Sequence, residues 1–325
     1  MDNDPRKISW SETLKKSIPD GTLAFSDTHI RFGLFRPFTV EHLYFDSQLI
    51  ERRYQMPISL PNVESEAQNL LICVSDIGFR APFSVMATNR IPDIHLLAPS
   101  DTFQCFPFYT YDGEGGGRRE NIPLSTLLHF QQHYDDKRIT KWDVFHYVYA
   151  VLHHPEYHAR YAANLRRELP RIPLVGSAPG VKSKKGGEAV TFHTYVEIGR
   201  KLADLHVNYE RVAEYPLQRI ENPDLPLDWR VKKMRLSKGK TAIVYNDFLT
   251  LAGVPEATFA YRLGNRSALE WVIDQYQVST DTRSGITNDP NRAAEPDYIV
   301  KLIGRVITVS LETQKLIAAL PPLQV

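Results

Sequence analysis

Four glycines fall within residues 112–119 (Asp-Gly-Glu-Gly-Gly-Gly-Arg-Arg), and they separate two different hydrophobic rhythms along the chain. Such a run has too little side chain and too much backbone freedom for a regular element, so it reads as a loop or domain joint. Before it, over 22–111, apolar residues come in short runs broken by Pro, Gly, Asn and Asp, as in Asn69-Leu-Leu-Ile-Cys-Val74 and Phe103-Gln-Cys-Phe-Pro-Phe-Tyr-Thr-Tyr111. That rhythm predicts short strands. After Pro123 the spacing turns helical. Thr140-Lys-Trp-Asp143 offers a hydroxyl and, three residues on, a carboxylate to the unpaired amides of a helix start, and Trp142, Phe145, Tyr149 and Leu152 then share a face. A second helix starts at Pro155, repeats Tyr157, Tyr161, Leu165 and Leu169 every four residues, and stops at Pro170. An exposed loop over 176–188 precedes a further helix over 192–209.

Pro216, Pro223 and Pro226 mark a turn-rich connection, after which 229–236 and 241–245 flank Ser237-Lys-Gly-Lys240 and predict a β-hairpin. Ser267-Ala-Leu-Glu270 is a second capping box, opening a helix through Trp271, Ile273 and Tyr276, and an amphipathic helix over 298–318 closes the chain. The expected fold is α+β: a β-rich portion over 1–115, a helical portion over 116–215, and a mixed portion with the hairpin over 216–325.

With 42% hydrophobic and 24% charged residues the chain has the composition of a globular protein. Cys73 and Cys105, both in apolar settings, fit reduced buried thiols and a cytoplasmic location. No apolar run reaches bilayer length, and Met1-Asp-Asn-Asp-Pro5 lacks the basic and apolar regions of a signal peptide, so neither membrane insertion nor secretion is expected.

Catalytic motifs are scarce. Gly239-Lys-Thr241 supplies half a P-loop, but Met234 stands where the first glycine belongs. His129 with His133, and His154 with His158, have metal-ligand spacing on a helix yet lack the glutamate of zinc hydrolases, and packing explains them as well. There is no Gly-x-Ser-x-Gly elbow and no Asn-Pro-Pro-aromatic segment of amino-group methyltransferases. Neither a catalytic residue nor a metal ligand is therefore assigned.

What remains is local positive charge. The net charge is only +1, so grip on a polyanion must come from patches. Arg230, Lys232, Lys233, Arg235, Lys238 and Lys240 crowd the hairpin, Lys182, Lys184 and Lys185 decorate a loop, and Arg118 and Arg119 follow the glycines. Strand alternation would turn Lys232 and Lys233 to opposite faces, leaving about half of the hairpin cations on one side. Solvated faces also carry such charges without function.

Three separated segments resemble the C-terminal region of the single-chain type ISP restriction-modification enzymes. They are Phe35-Arg-Pro-Phe38 with Leu43-Tyr-Phe-Asp46; His154-Pro-Glu-Tyr157 through Leu169-Pro-Arg-Ile-Pro173; and Tyr261-Arg-Leu-Gly-Asn-Arg-Ser-Ala-Leu-Glu-Trp271 with Asp274-Gln-Tyr276, Ser284-Gly-Ile286 and Asn288-Asp-Pro-Asn291. Val40-Glu41 departs from the family pattern, which has a Lys-Gln or similar pair there. The resemblance implies a target-recognition domain for double-stranded DNA. It also implies that S-adenosylmethionine, ATP and magnesium serve neighbouring methyltransferase and helicase-nuclease domains rather than this chain. The DNA-contacting candidates are then Arg36, Arg118, Arg119, Lys182, Lys184, Lys185, Lys232, Arg235, Lys238, Lys240, Asn265, Arg266, Arg283, Asn288 and Asn291. Arg266 has a competing structural role as a partner of Asp274, and 280–291 a competing one as a self-satisfied turn network. The rival functions are a metal-dependent nuclease with scattered carboxylates and a docking scaffold for a methyltransferase or helicase.

Overall fold

Strand Leu71–Ser75 is buried along its whole length, and the rest of the molecule is arranged about its two faces. It runs antiparallel between Val85–Thr88 and Phe103–Pro107. Alternation turns Ile72, Val74, Val85 and Ala87 toward a helical layer, while Cys73 and Met86 face a second core. A smaller sheet joins hairpin Ile30–Arg36/Thr39–Tyr44 to Ile91–Pro92. This computed structural model describes residues 12–18, 21, 24–50, 52–98, 101–113, 115–176 and 187–325. Its architecture is mixed α and β in several small sheets, as the α+β expectation has it. The glycine-rich stretch joins Tyr109–Thr110 to Arg119–Glu120 as an antiparallel pair.

The helical layer is built on Lys141–Val151, whose Thr140 cap accepts the Asp143 amide while the Asp143 carboxylate takes the Thr140 amide. This helix buries far more than the one expected stripe: Val144, Tyr147, Ala150 and Val151 are enclosed along with Phe145 and Tyr149. Helix Gly187–Val207 crosses it so closely that a Cβ on Gly199 would lie 1.9 Å from the His146 carbonyl oxygen, so only glycine fits the crossing. The predicted helix from Pro155 ends at Tyr161 rather than at Pro170. Beyond it the Asn164 carbonyl takes the amides of Arg167 and Glu168, and its side chain bonds Glu168, a local network that competes with helix continuation.

In the C-terminal portion a four-stranded antiparallel sheet runs in the order Arg235–Leu236, Ala242–Val244, Leu249–Ala252, Gln218–Glu221. Its last strand lies in the proline-rich connection that sequence assigned to turns; all four of its residues are exposed, which hides any burial pattern. Ile243, Leu249 and Leu251 from this sheet pack with Trp271 and with Leu302, Ile303 and Val306 of the C-terminal helix Tyr298–Ala318. The core that holds them also takes in Leu34, Phe38, Phe79 and Leu96 from the N-terminal portion. Among the described residues no helix is long and apolar enough to cross a membrane.

Candidate nucleic-acid interface

The hairpin predicted from Ser237-Lys-Gly-Lys240 is present, but only Arg235 and Leu236 of its first arm form a strand. Upstream, Val231 and Met234 are buried while Lys232 and Lys233 are both exposed, because this segment is irregular and not an alternating strand. The expectation that these two lysines face apart is thereby corrected. At the tip Lys240 takes the left-handed conformation, with φ 55°, and its amide reaches the Ser237 carbonyl at 2.9 Å.

Segment 278–291 lies alongside. The Val278 amide donates to the Lys232 carbonyl at 2.8 Å, Arg230 pairs with Asp289 at 2.6 Å, and the Asn291 side chain takes both polar groups of Val231. From that root a short hairpin, Ser279–Thr280 against Thr287–Asn288, stands out with all four paired residues exposed. Asn288 and Arg283 are free to solvent on it. Asn291, by contrast, is consumed by Val231 and is unavailable to a base: both hydrogen-bonding ends of its amide are already engaged.

The tip of the basic hairpin meets the third predicted segment. Lys240 Nζ lies 2.9 Å from Glu270 and over the Phe259 ring, and Arg262 approaches the same carboxylate at 3.7 Å. Glu270 is also the carboxylate of the Ser267 capping box that opens helix Ala268–Gln275. Hydrogen bonds from the Ser267 amide and Lys240 hold its carboxyl below the usual range in spite of partial burial. In front of this helix a turn between Arg262–Leu263 and Arg266–Ser267 exposes Asn265. Gly264 sits in that turn at φ 64°, where a Cβ would meet the Leu97 carbonyl oxygen at 2.2 Å. Arg266 takes its structural alternative: it pairs with Asp274 at 3.0 Å and covers the Trp271 ring.

Two candidate segments, 262–274 and 278–291, are thus each bonded to the third, 230–240, the first through Lys240 and the second through Arg230, Val231 and Lys232. Lys232, Lys233, Arg235 and Lys238 are exposed there and make no ion pair with any described residue. Arg262, which lies in the family-like segment 261–271 but is not among the sequence-derived contact candidates, reaches Glu270 as well.

The remaining described candidates make other contacts. Arg36 is mostly enclosed, paired with Asp93 at 2.6 Å and laid over Phe35, so it serves the fold rather than the surface. Arg118 bonds Gln68 at 2.6 Å and covers Tyr109, and no contact links it or Arg119 to the basic face among the described residues. Lys182, Lys184 and Lys185 fall outside the described residues. Of the histidines, His154 caps the helix at Pro155 and reaches the Pro321 carbonyl, and His158 reaches the Leu152 carbonyl. Among the described residues no three His, Cys, Asp or Glu side chains gather as metal ligands. An open groove of about 860 Å³, which the sequence did not signal, runs past Phe45, Tyr54, Asp93 and Cys105, and burial there raises the Glu41 carboxyl above its usual range.

Residues 1–302 match the family described as Type ISP C-terminal specificity domain. Among solved structures the chain is similar to a nuclease-deletion mutant of the type ISP restriction-modification enzyme LlaGI in complex with a DNA substrate mimic: 38% identity, TM-score 0.81, covering 100% of this chain and 28% of that one. It is similar to the ATP-dependent type ISP enzyme LlaBIII bound to DNA at 32% identity and TM-score 0.85, covering 99% of this chain and 21% of the other. For DrdV in a DNA complex the values are 35% and 0.82, with 100% and 31% covered. No functionally curated protein is significantly similar. The chain therefore spans less than a third of the length of the enzymes it matches, and it belongs to the type ISP C-terminal specificity domain family.

Proposed function

We propose that this chain recognises a target sequence in duplex DNA as the specificity part of a cytoplasmic restriction-modification enzyme. Its methyltransferase and helicase-nuclease domains lie in the same chain or complex and use the S-adenosylmethionine, ATP and magnesium; the domain described here breaks no bond itself. The bonding of two distant segments to 230–240, which carries four exposed cations that no carboxylate among the described residues neutralises, carries this proposal. Lys232, Lys233, Arg235 and Lys238 hold phosphates, while Asn265, Arg283 and Asn288 are placed to meet base edges. The three DNA-bound relatives support the assignment.

Four phosphate contacts release enough counterions to give a slope of about −4 in log affinity against log salt. Fluorescence anisotropy of a labelled duplex, titrated with the chain across a salt series, measures it. A flat dependence, or no affinity for any duplex, overturns the proposal. Magnesium-dependent cleavage abolished by one carboxylate substitution would make the chain a nuclease instead. Tight association with a methyltransferase domain in the absence of any duplex affinity would make it a scaffold.

A further inference from the structure

We infer that the 279–288 hairpin is a base-reading ribbon whose tip residue Ile286 recognises the 5-methyl group of a thymine in the major groove; this rests on the duplex-binding proposal above. Ile286 is 63% exposed. Single exposed hydrophobic residues are common and need no explanation by themselves. Three features of its setting distinguish this one.

The tip is stiff. Asp281 Oδ1 accepts the amides of Arg283 at 3.1 Å and Ser284 at 2.6 Å, the Asp281 amide donates to the Ile286 carbonyl at 2.9 Å, and the Ile286 amide reaches Ser284 Oγ at 3.2 Å. The root is clamped as well, by Val278 on Lys232, Asp289 on Arg230 and Asn291 on Val231. An apolar side chain is therefore held out in water in a fixed place, which lowers the ordering cost of a contact made there.

The ribbon also has a reading side. Thr280 and Thr287 are directly opposed and their hydroxyls meet at 2.9 Å. In the proposed reading the strand's alternation carries back one residue from Thr287, through the bond of the Asp281 amide to the Ile286 carbonyl, and sets Ile286 with Asn288 on the other side. Two residues along a strand span about 7 Å, which matches two base-pair steps of about 3.4 Å each. A two-stranded ribbon fits a major groove roughly 12 Å wide, and the thymine methyl is the apolar group displayed on its base edges, beside the adenine pattern that an asparagine amide matches. Lys232 and Lys233 at the root are positioned to hold the flanking phosphates.

The test uses the 325-residue chain. Duplexes enriched from a random pool are resynthesised with each thymine replaced in turn by deoxyuridine, which deletes only the methyl group. The wild-type chain should lose about fourfold in affinity at one thymine, the value of one buried methyl-sized group. Ile286→Ala should bind the thymine and deoxyuridine duplexes equally, and Ile286→Val should keep most of the preference. Absence of any methyl-sensitive position, or an unchanged thymine-to-deoxyuridine ratio in Ile286→Ala, overturns the inference while leaving duplex binding intact. Failure of the wild-type chain to bind any duplex overturns the underlying proposal together with it.

Discussion

Tyr149 and His206 share a fully enclosed hydrogen bond of 2.6 Å at the junction of both cores. The Tyr149 hydroxyl accepts the Ala87 amide and shares its other bond with His206 Nδ1, while His206 Nε2 is bonded to the Thr313 hydroxyl at 2.9 Å. His153 packs beside them, its Nδ1 donating to the Tyr149 carbonyl while its buried Nε2 has no hydrogen-bond partner among the described residues. Burial holds both imidazoles neutral: His206 is pushed well below its usual value and His153 down to about 4. Because the folded values lie below the unfolded one near 6.5, the unfolded state binds more protons as pH falls. Stability is full above about pH 6.5 and declines from there toward pH 4, by on the order of 3 kcal/mol for His153 alone. Urea unfolding at pH 7.5, 6 and 5 measures this; a midpoint that does not fall would contradict it.

Replacing Asn291 with Ala removes two bonds from the buried backbone of Val231. The expected cost is roughly 1–3 kcal/mol, mostly from leaving those groups unsatisfied. Chemical denaturation reads the loss, and because the root of the 279–288 hairpin loosens, sequence preference should weaken more than non-specific affinity.

The double variant Lys232→Ala/Arg235→Ala removes two exposed cations and no carboxylate partner. Binding should weaken to a similar extent on every sequence, and the salt slope should become shallower by about 2. An equal double substitution at Arg118 and Arg119, remote from the face in hydrogen-bond connectivity, should leave the slope nearly unchanged.

Gly199→Ala forces a methyl group into the His146 carbonyl at the crossing of the two main helices. Overpacking of this kind costs about 1–3 kcal/mol, and here the obstacle is backbone, so the upper end is expected. Thermal unfolding followed by circular dichroism measures it; an unchanged midpoint would mean that the helices separate without penalty.

Local signals carried most of the element assignments. The capping boxes at Thr140 and Ser267 form as written, since a hydroxyl and a carboxylate three residues apart satisfy helix-start amides whatever surrounds them. The C-terminal helix likewise follows its apolar stripe. Signals failed where tertiary contacts decide. Strand Gln218–Glu221 exists because Leu249–Ala252 offers it an edge, and nothing in its own residues announces that. The same limit applies to the site. Basic residues at 232–240 were legible as charge, but their meeting with 262–274 and 278–291 depends on Glu270, Asp289 and Asn291, whose partners lie 30 to 60 residues away. Composition also could not separate Asn288, exposed on its ribbon, from Asn291, spent on a backbone, because the two differ only in what folding brings to them.

Every bond that anchors the 279–288 hairpin is made at its base, and residues 281–286 bond only to one another among the described residues. On the proposed reading, the tip residues offered to a base are therefore not the residues that hold the hairpin to the fold. If the ribbon reads bases as proposed, substitution of those six tip positions would alter which sequence is chosen while leaving intact the bonds that anchor the hairpin.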